Sequence, residues 1–126
     1  MNAPLSLAYL RFLELSRAIK ESDLDSLTAN QTALLETVAI AWHTGKPMSV
    51  REAIAVQHLG SPATLHKRLT ALRKNGYIEE IAVEGDRRTK LLSPSKKSLK
   101  YFERLGKAMS LKEANPRRGN PTTDLI

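Results

Sequence analysis

The sequence predicts a mainly α-helical fold with one small β-hairpin and flanking helices at both ends. In five segments apolar residues recur every three or four positions, which is typical of amphipathic helices. Residues 77–83 and 89–92 look like two short strands on either side of Gly85. Of the net charge of +7, most lies in residues 61–102, which hold ten basic and four acidic side chains. A length of 126 residues suits one compact domain. The clustered positive charge favours a polyanionic partner.

The first predicted helix, residues 4–21, carries apolar residues on two faces. One stripe holds Leu5, Ala8, Phe12, Leu15 and Ile19, while Leu10 and Leu13 lie off it. A helix with two apolar faces can pack on its own domain and on a second chain at once. We therefore assign residues 1–27 to dimerisation and expect a homodimer; the alternative is a helix buried in one core.

Two further helices are predicted before the basic segment. The helix over 28–44 begins with a T-x-x-Q capping box at Thr28 and ends at Gly45. A shorter helix over 49–58 begins with a second capping box, formed by Ser49 and Glu52. The dipeptide Leu59-Gly60 then breaks the chain tightly before the next helix.

The fourth helix, residues 61–75, has a narrow apolar stripe and a basic surface. Ser61 is a good N-cap, Pro62 suits the first helical position, and Gly76 is the expected stop. Three residues form the stripe: Leu65, Leu69 and Leu72. The rest of the surface contains no acid and carries Thr64, His66, Lys67, Arg68, Thr70, Arg73 and Lys74.

The chain after the fourth helix predicts a hairpin, a helix and a tail. Residues 84–88, EGDRR, form the hairpin tip, which we call the wing. Helical periodicity returns over 94–111 through Leu99, Phe102, Leu105 and Met109, with the helix starting at Ser93-Pro94. Residues 112–126 have little apolar periodicity, and we expect them to be disordered.

This order of elements predicts a winged helix-turn-helix over residues 28–93. A helix about 10–12 Å wide fits the major groove of B-form DNA, which is roughly 12 Å wide. A helix that enters the groove must bury only a narrow stripe, as the fourth helix does. The sequence therefore predicts sequence-specific binding of double-stranded DNA, with residues 61–75 as the recognition helix.

Two stretches, SPATLHKRLTALRKNGYIEE and EGDRRTKLLSPSKKSL, carry a family resemblance. The chain resembles the MarR family of transcriptional regulators over about residues 28–105. The shared features are a Ser-led recognition helix with Thr at its fourth position, Leu and Gly before an apolar strand, an Asp-x-Arg wing and a Ser-Pro helix start. They fall on Ser61, Thr64, Leu72, Gly76, Asp86, Arg88, Ser93 and Pro94. The stretch from Val50 to Ser61 is one residue longer than the family's usual spacing.

The resemblance and the basic segment together select candidate residues. By resemblance, Arg88 enters the minor groove, Asp86 orients its guanidinium, and Arg87 faces phosphate. Lys67 or Arg68 is expected to read guanine, although Arg68 could instead pair internally. The DNA-binding candidates are Ser61, Thr64, His66, Lys67, Arg68, Arg73, Lys74, Arg87, Arg88 and Lys90. Non-specific contacts with phosphate or solvent are expected from Lys96, Lys97 and Lys100, and dimer contacts from Leu5, Phe12, Leu15, Ile19, Phe102 and Leu105.

Other function classes find less support in the sequence. Without cysteine there is no thiolate chemistry, and the three histidines accompany no nucleophile motif, carboxylate pair or phosphate loop. We expect neither an enzyme nor a resident cofactor or metal. Charged residues interrupt the N-terminal apolar run, so we expect no secretory signal, no membrane association and a cytoplasmic protein. The resemblance also implies a small-molecule effector, such as an aromatic acid.

Two alternatives share the winged-helix fold. An adaptor would use the domain to bind a protein partner, but such domains usually lose the basic surface that this chain keeps. A non-specific nucleic-acid binder would keep the basic surface without reading bases. RNA is a weaker candidate, because A-form major grooves exclude helices and the basic region lacks stacking aromatic residues.

Overall fold

The computed structural model describes residues 3–23 and 27–114; the side chains of residues 3, 22, 23, 87 and 110–114 lie outside that description. The chain divides into two units, one formed by Ser26–Leu99 and the other by Met1–Asp25 with Lys100–Ile126. In chain order the elements are α1 (Ala3–Asp23), α2 (Ala29–His43), α3 (Val50–Ala53), a 3-10 turn (Gln57–Leu59), α4 (Pro62–Lys74), β1 (Ile78–Val83), β2 (Asp86–Pro94) and α5 (Lys96–Ala114). The predicted mainly α-helical fold with a β-hairpin is confirmed.

Local hydrogen bonds explain where the helices of the Ser26–Leu99 unit begin. Thr28 Oγ1 accepts from the Gln31 N–H at 3.1 Å, and the Thr28 N–H donates to Gln31 Oε1 at 2.9 Å. Ser49 and Glu52 repeat this capping box at the start of α3. At α4 the Ser61 hydroxyl accepts from the Thr64 N–H, and Pro62 occupies the first turn. The predicted caps are therefore present at all three helix starts.

The core of this unit is built from leucines on two helices and from the hairpin. The predicted stripe of Leu65, Leu69 and Leu72 on α4 is fully buried. The other fully or almost fully buried apolar residues of the unit are Leu34, Leu35, Val38, Ala53, Tyr77, Ile78 and Leu92. Burying three leucines on one side of α4 leaves its opposite side at the surface.

The hairpin is longer than the sequence predicted, and its second strand also pairs with residue 49 just before α3. Its register pairs Ile78 with Pro94, and a bulge interrupts the pairing between Ala82 and Val83. Gly85, in the wing, has a φ of 82°, which an L side chain rarely adopts. On the other side of β2, Ser49 pairs with Leu91, and the Leu92 N–H donates to the Met48 carbonyl at 2.8 Å.

Two boundaries differ from the prediction. The helix expected over 49–58 is divided into α3 and the 3-10 turn. The last helix does not start at Ser93-Pro94, because both residues pair with β1 and extend β2. Ser95 takes over the cap: its hydroxyl accepts from the Ser98 N–H at 3.2 Å. The helix continues to Ala114, past the predicted start of the tail, and residues 115–126 fall outside the described part of the chain.

The unit that contains α1 exposes much of its apolar surface. On α1 Ser16 is buried and Phe12 and Ile19 are half-buried, whereas Leu5 is 67% and Leu15 40% exposed. On α5, Phe102 and Leu105 are half-buried. None of the helices in the described ranges is long and apolar enough to cross a bilayer.

Candidate nucleic-acid interface

The exposed side of α4 carries most of the predicted DNA-binding residues. Ser61, His66, Lys67 and Lys74 are exposed, and Thr64 is half-buried. The Ser61 hydroxyl donates to Thr64 Oγ1 at 2.9 Å, so both hydroxyls belong to the N-cap. With no carboxylate on the helix, this side presents hydrogen-bond donors and positive charge to whatever lies against it.

Arg68 does not belong to this exposed set. It is half-buried, and its Nη1 donates to the Leu59 carbonyl at 2.8 Å, nine residues earlier in the chain. Gly60 lies at the same turn with a φ of 149°, and a Cβ there would lie 3.4 Å from Arg68 Nη1. This contact corresponds to the internal pairing that the sequence left open for Arg68, and it holds the turn that leads into α4. Base reading by Arg68 stays a prediction.

Two other basic residues that were expected at the surface for DNA make contacts within the fold. Arg73 on α4 forms an ion pair with Glu80 on β1, with both side chains about 30% exposed. Lys97 donates to the Asn75 carbonyl at 3.1 Å, and its Nζ lies 4.0 Å from the centre of the Tyr77 ring. Lys97 therefore holds the C-terminal end of α4, where a cation is also favoured by the helix dipole.

Asp86 organises the wing through the backbone. Its Oδ1 accepts from the N–H groups of Arg88 and Thr89 at 3.0 and 3.2 Å, and its Oδ2 accepts from the Thr89 hydroxyl at 2.6 Å. We expected Asp86 to orient the Arg88 guanidinium; instead its carboxylate orders the chain from which Arg88 projects. Arg88 and Lys90 are exposed, and the Arg87 side chain is among those not described.

These hydrogen bonds predict how the wing responds to acid. The Thr89 hydroxyl, followed by the N–H groups of Arg88 and Thr89, holds the pKa of Asp86 below its ordinary value of 3.8. Because the pKa is lower in the folded state, the ordering by Asp86 is complete above 3.8 and is lost as pH falls through the lower, folded pKa. We expect the amide proton shifts of Arg88 and Thr89 to titrate with a shared midpoint below 3.8.

Asp86→Asn is the control: without the carboxylate, neither the Arg88 nor the Thr89 amide proton shift should titrate in this pH range. Circular dichroism over the same pH range separates a local change in the wing from global unfolding. A midpoint at or above 3.8 would show that the carboxylate is not held by these donors.

Beside the wing lies a basic residue, Arg51, that was not among the candidates predicted from the sequence. Exposed Arg51, on α3, lines one groove together with Arg88 and Lys90. The groove, here called the wing-base groove, is bounded by residues 49–51, Glu80 and residues 88–90. No local pattern points to Arg51, because its position depends on the pairing of Ser49 with Leu91. Within the described ranges no cluster of His, Asp or Glu could hold a metal ion.

A short helix, a turn, an exposed basic helix and a hairpin wing define a winged helix-turn-helix DNA-binding domain. Residues 24–89, a little over half of the chain, match the family model of the LexA DNA binding domain, and the chain belongs to that family. A search of proteins with curated functions finds no significant match.

Solved structures with the same fold include MarR-family regulators. A MepR mutant from Staphylococcus aureus bound to an oligodeoxyribonucleotide has a TM-score of 0.61 at 15% identity, covering 91% of this chain and 80% of its own. FabT from Streptococcus pneumoniae in complex with DNA has a TM-score of 0.54 at 21% identity, covering 85% and 73%. Staphylococcus aureus MarR in complex with salicylate and kanamycin has a TM-score of 0.53 at 22% identity, covering 91% and 73%. The predicted resemblance to the MarR family is confirmed at the level of the fold.

Proposed function

We propose that the protein is a homodimeric transcriptional regulator that binds specific sequences of double-stranded DNA. In this proposal α4 lies in the major groove and the wing lies in the minor groove of each half-site. The observation that carries the proposal is the exposed, acid-free side of α4, opposite a fully buried stripe of three leucines. Such a helix can enter the groove without uncovering its own core.

The candidate roles on α4 follow from exposure. Lys67 is the strongest base-reading candidate, because it is exposed in the second turn and its side chain has no hydrogen-bond partner among the described residues. Ser61 and Thr64 lie at the helix N-terminus, where hydroxyl and N–H groups suit phosphate. Lys74, exposed at the other end, suits the phosphate backbone.

The wing supports a minor-groove contact. Arg88 is exposed beside the tip, and Asp86 orders the backbone beneath it. A narrow minor groove concentrates negative potential and favours an inserted arginine. Ordering of its backbone before binding lowers the entropy that Arg88 would lose on insertion.

The solved neighbours support the choice of partners. The FabT and MepR structures contain DNA, which favours duplex DNA as the partner of the same fold here. The MarR structure contains salicylate, which favours a small aromatic acid as an effector to test. The exposed apolar residues of α1 favour a second copy of the chain.

Selection of bound sequences from random duplex DNA tests the proposal directly. A specific homodimer should enrich a pseudo-palindrome with half-sites about one helical turn, roughly 34 Å, apart. Recovery of unenriched sequences would favour non-specific binding, and recovery of no DNA would favour the protein-binding alternative.

Substitution of the two principal candidates should weaken binding to the selected sequence. In a gel shift at fixed salt, Lys67→Ala is expected to lose about 1–3 kcal/mol of discrimination between the best site and a mismatched one. Arg88→Ala should lose affinity and relax the preference in the flanking minor groove. Lys107→Ala, an exposed lysine on α5, is the matched control. If both variants bind like the control, the proposed interface is wrong.

A further inference from the structure

The wing-base groove is a concave, mainly cationic surface separate from the recognition helix. It has a volume of about 510 Å³, and its walls come from α3, β1 and β2. None of its lining residues belongs to α4. A ligand in the groove would therefore leave the exposed side of the recognition helix free.

The charges of the groove favour an anion. Arg51, Arg88 and Lys90 contribute three positive charges, and all three side chains are exposed. Glu80 contributes the carboxylate of the lining, and it is already paired with Arg73, which lies outside the groove. Among the described residues none of the three cations has an ion-pair partner, so they are available for an anion from outside.

The groove is held in shape before any ligand arrives. Pairing of Ser49 with Leu91, and the hydrogen bond from Leu92 to Met48, fasten the start of α3 to β2. The opposite wall is ordered by the hydrogen bonds from Arg88 and Thr89 to Asp86. Backbone pairing therefore determines where Arg51 and Lys90 project from, which limits the entropy lost on binding.

The position of the groove indicates which anion it takes. Arg88 and Lys90 stand two residues apart on β2, and both line the groove. If Arg88 enters a minor groove about 6 Å wide, the base of the wing must lie beside the phosphates that border it. We propose that Arg51 and Lys90 bind phosphodiester groups of the DNA backbone there. This inference rests on the proposed function and adds Arg51 to its contacts.

Salt dependence of DNA binding tests the inference. Each phosphate contact contributes about 0.9 to the slope of log K against log salt concentration. Arg51→Ala and Lys90→Ala should each reduce the slope by about 0.9, which is about an eightfold loss of affinity at 0.1 M salt. Because phosphates carry no sequence information, the loss should be equal on the selected sequence and on unrelated duplex. Arg51→Lys keeps the charge and should retain the wild-type slope.

These measurements distinguish failure of the groove inference from failure of the proposed function. If the wild-type chain binds duplex but neither alanine variant changes the slope, the groove inference alone is overturned. If inorganic phosphate shifts the Arg51 side-chain NMR resonance while both slopes stay at the wild-type value, the groove takes a free anion and the inference is again overturned. A wild-type chain that binds no duplex overturns the proposed function together with the inference.

Discussion

Replacement of Arg68 by methionine is expected to lower the free energy of unfolding by about 1.5–3 kcal/mol, the range for hydrogen bonds from charged donors. The Arg68 guanidinium donates to the Leu59 carbonyl at 2.8 Å from a half-buried position. Methionine keeps the packing of an unbranched stem and removes the donor. Urea denaturation of the full chain measures the change, with the slope m checked for constancy.

The same substitution should weaken DNA binding without the signature of a lost phosphate. Arg68 holds the turn before α4, so its loss should displace the start of the recognition helix and reduce affinity for the selected sequence. The slope of log K against log salt should stay at its wild-type value, because no phosphate contact disappears.

Lys67→Met is the matched control for Arg68→Met. Lys67 neighbours Arg68 on the same helix but is exposed, so its replacement should change stability by less than about 0.5 kcal/mol while altering base preference. If Arg68→Met instead keeps full stability and relaxes the preference at one base pair, Arg68 reads DNA and its contact with Leu59 is incidental.

The parts of the fold that could be predicted from the sequence are those set by neighbouring residues. The capping boxes at Thr28 and Ser49 join residues three apart, so the sequence contains both partners side by side. The buried stripe of α4 follows from helical periodicity alone. The exposed, acid-free side of α4 is the complement of that stripe and was predictable for the same reason.

The contacts that could not be predicted from the sequence join distant residues. Arg68 and Lys67 are adjacent in sequence, yet Lys67 is exposed whereas Arg68 donates to the Leu59 carbonyl. The difference depends on the path of the turn through Leu59. Lys97 finds its acceptor 22 residues away at Asn75. Ser93-Pro94 has the local pattern of a helix start, but pairing across the hairpin takes both residues into β2. Charge and periodicity cannot distinguish such outcomes, because they describe a residue without its non-local partner.

Conversion of two exposed leucines on α1 to glutamate should turn the proposed homodimer into a monomer. Leu5 is 67% and Leu15 40% exposed in the single chain, so the double variant Leu5→Glu/Leu15→Glu adds little cost to folding. Two glutamates in an apolar interface would instead be desolvated without partners, which opposes association. Sedimentation equilibrium at micromolar concentration should show the mass of one chain, about 14.0 kDa.

Loss of the dimer should also reduce the affinity for the selected sequence far more than the loss of any single contact would. In a dimer, binding of one half-site raises the effective concentration of the second recognition helix, an advantage of about 100-fold or more. The monomeric variant should lose that factor on a two-half-site duplex and match wild type on one half-site. The control is Ile40→Glu, which changes an apolar side chain on α2 that is 64% exposed; this variant should remain dimeric. A double variant that still sediments as a dimer would place the subunit interface away from α1.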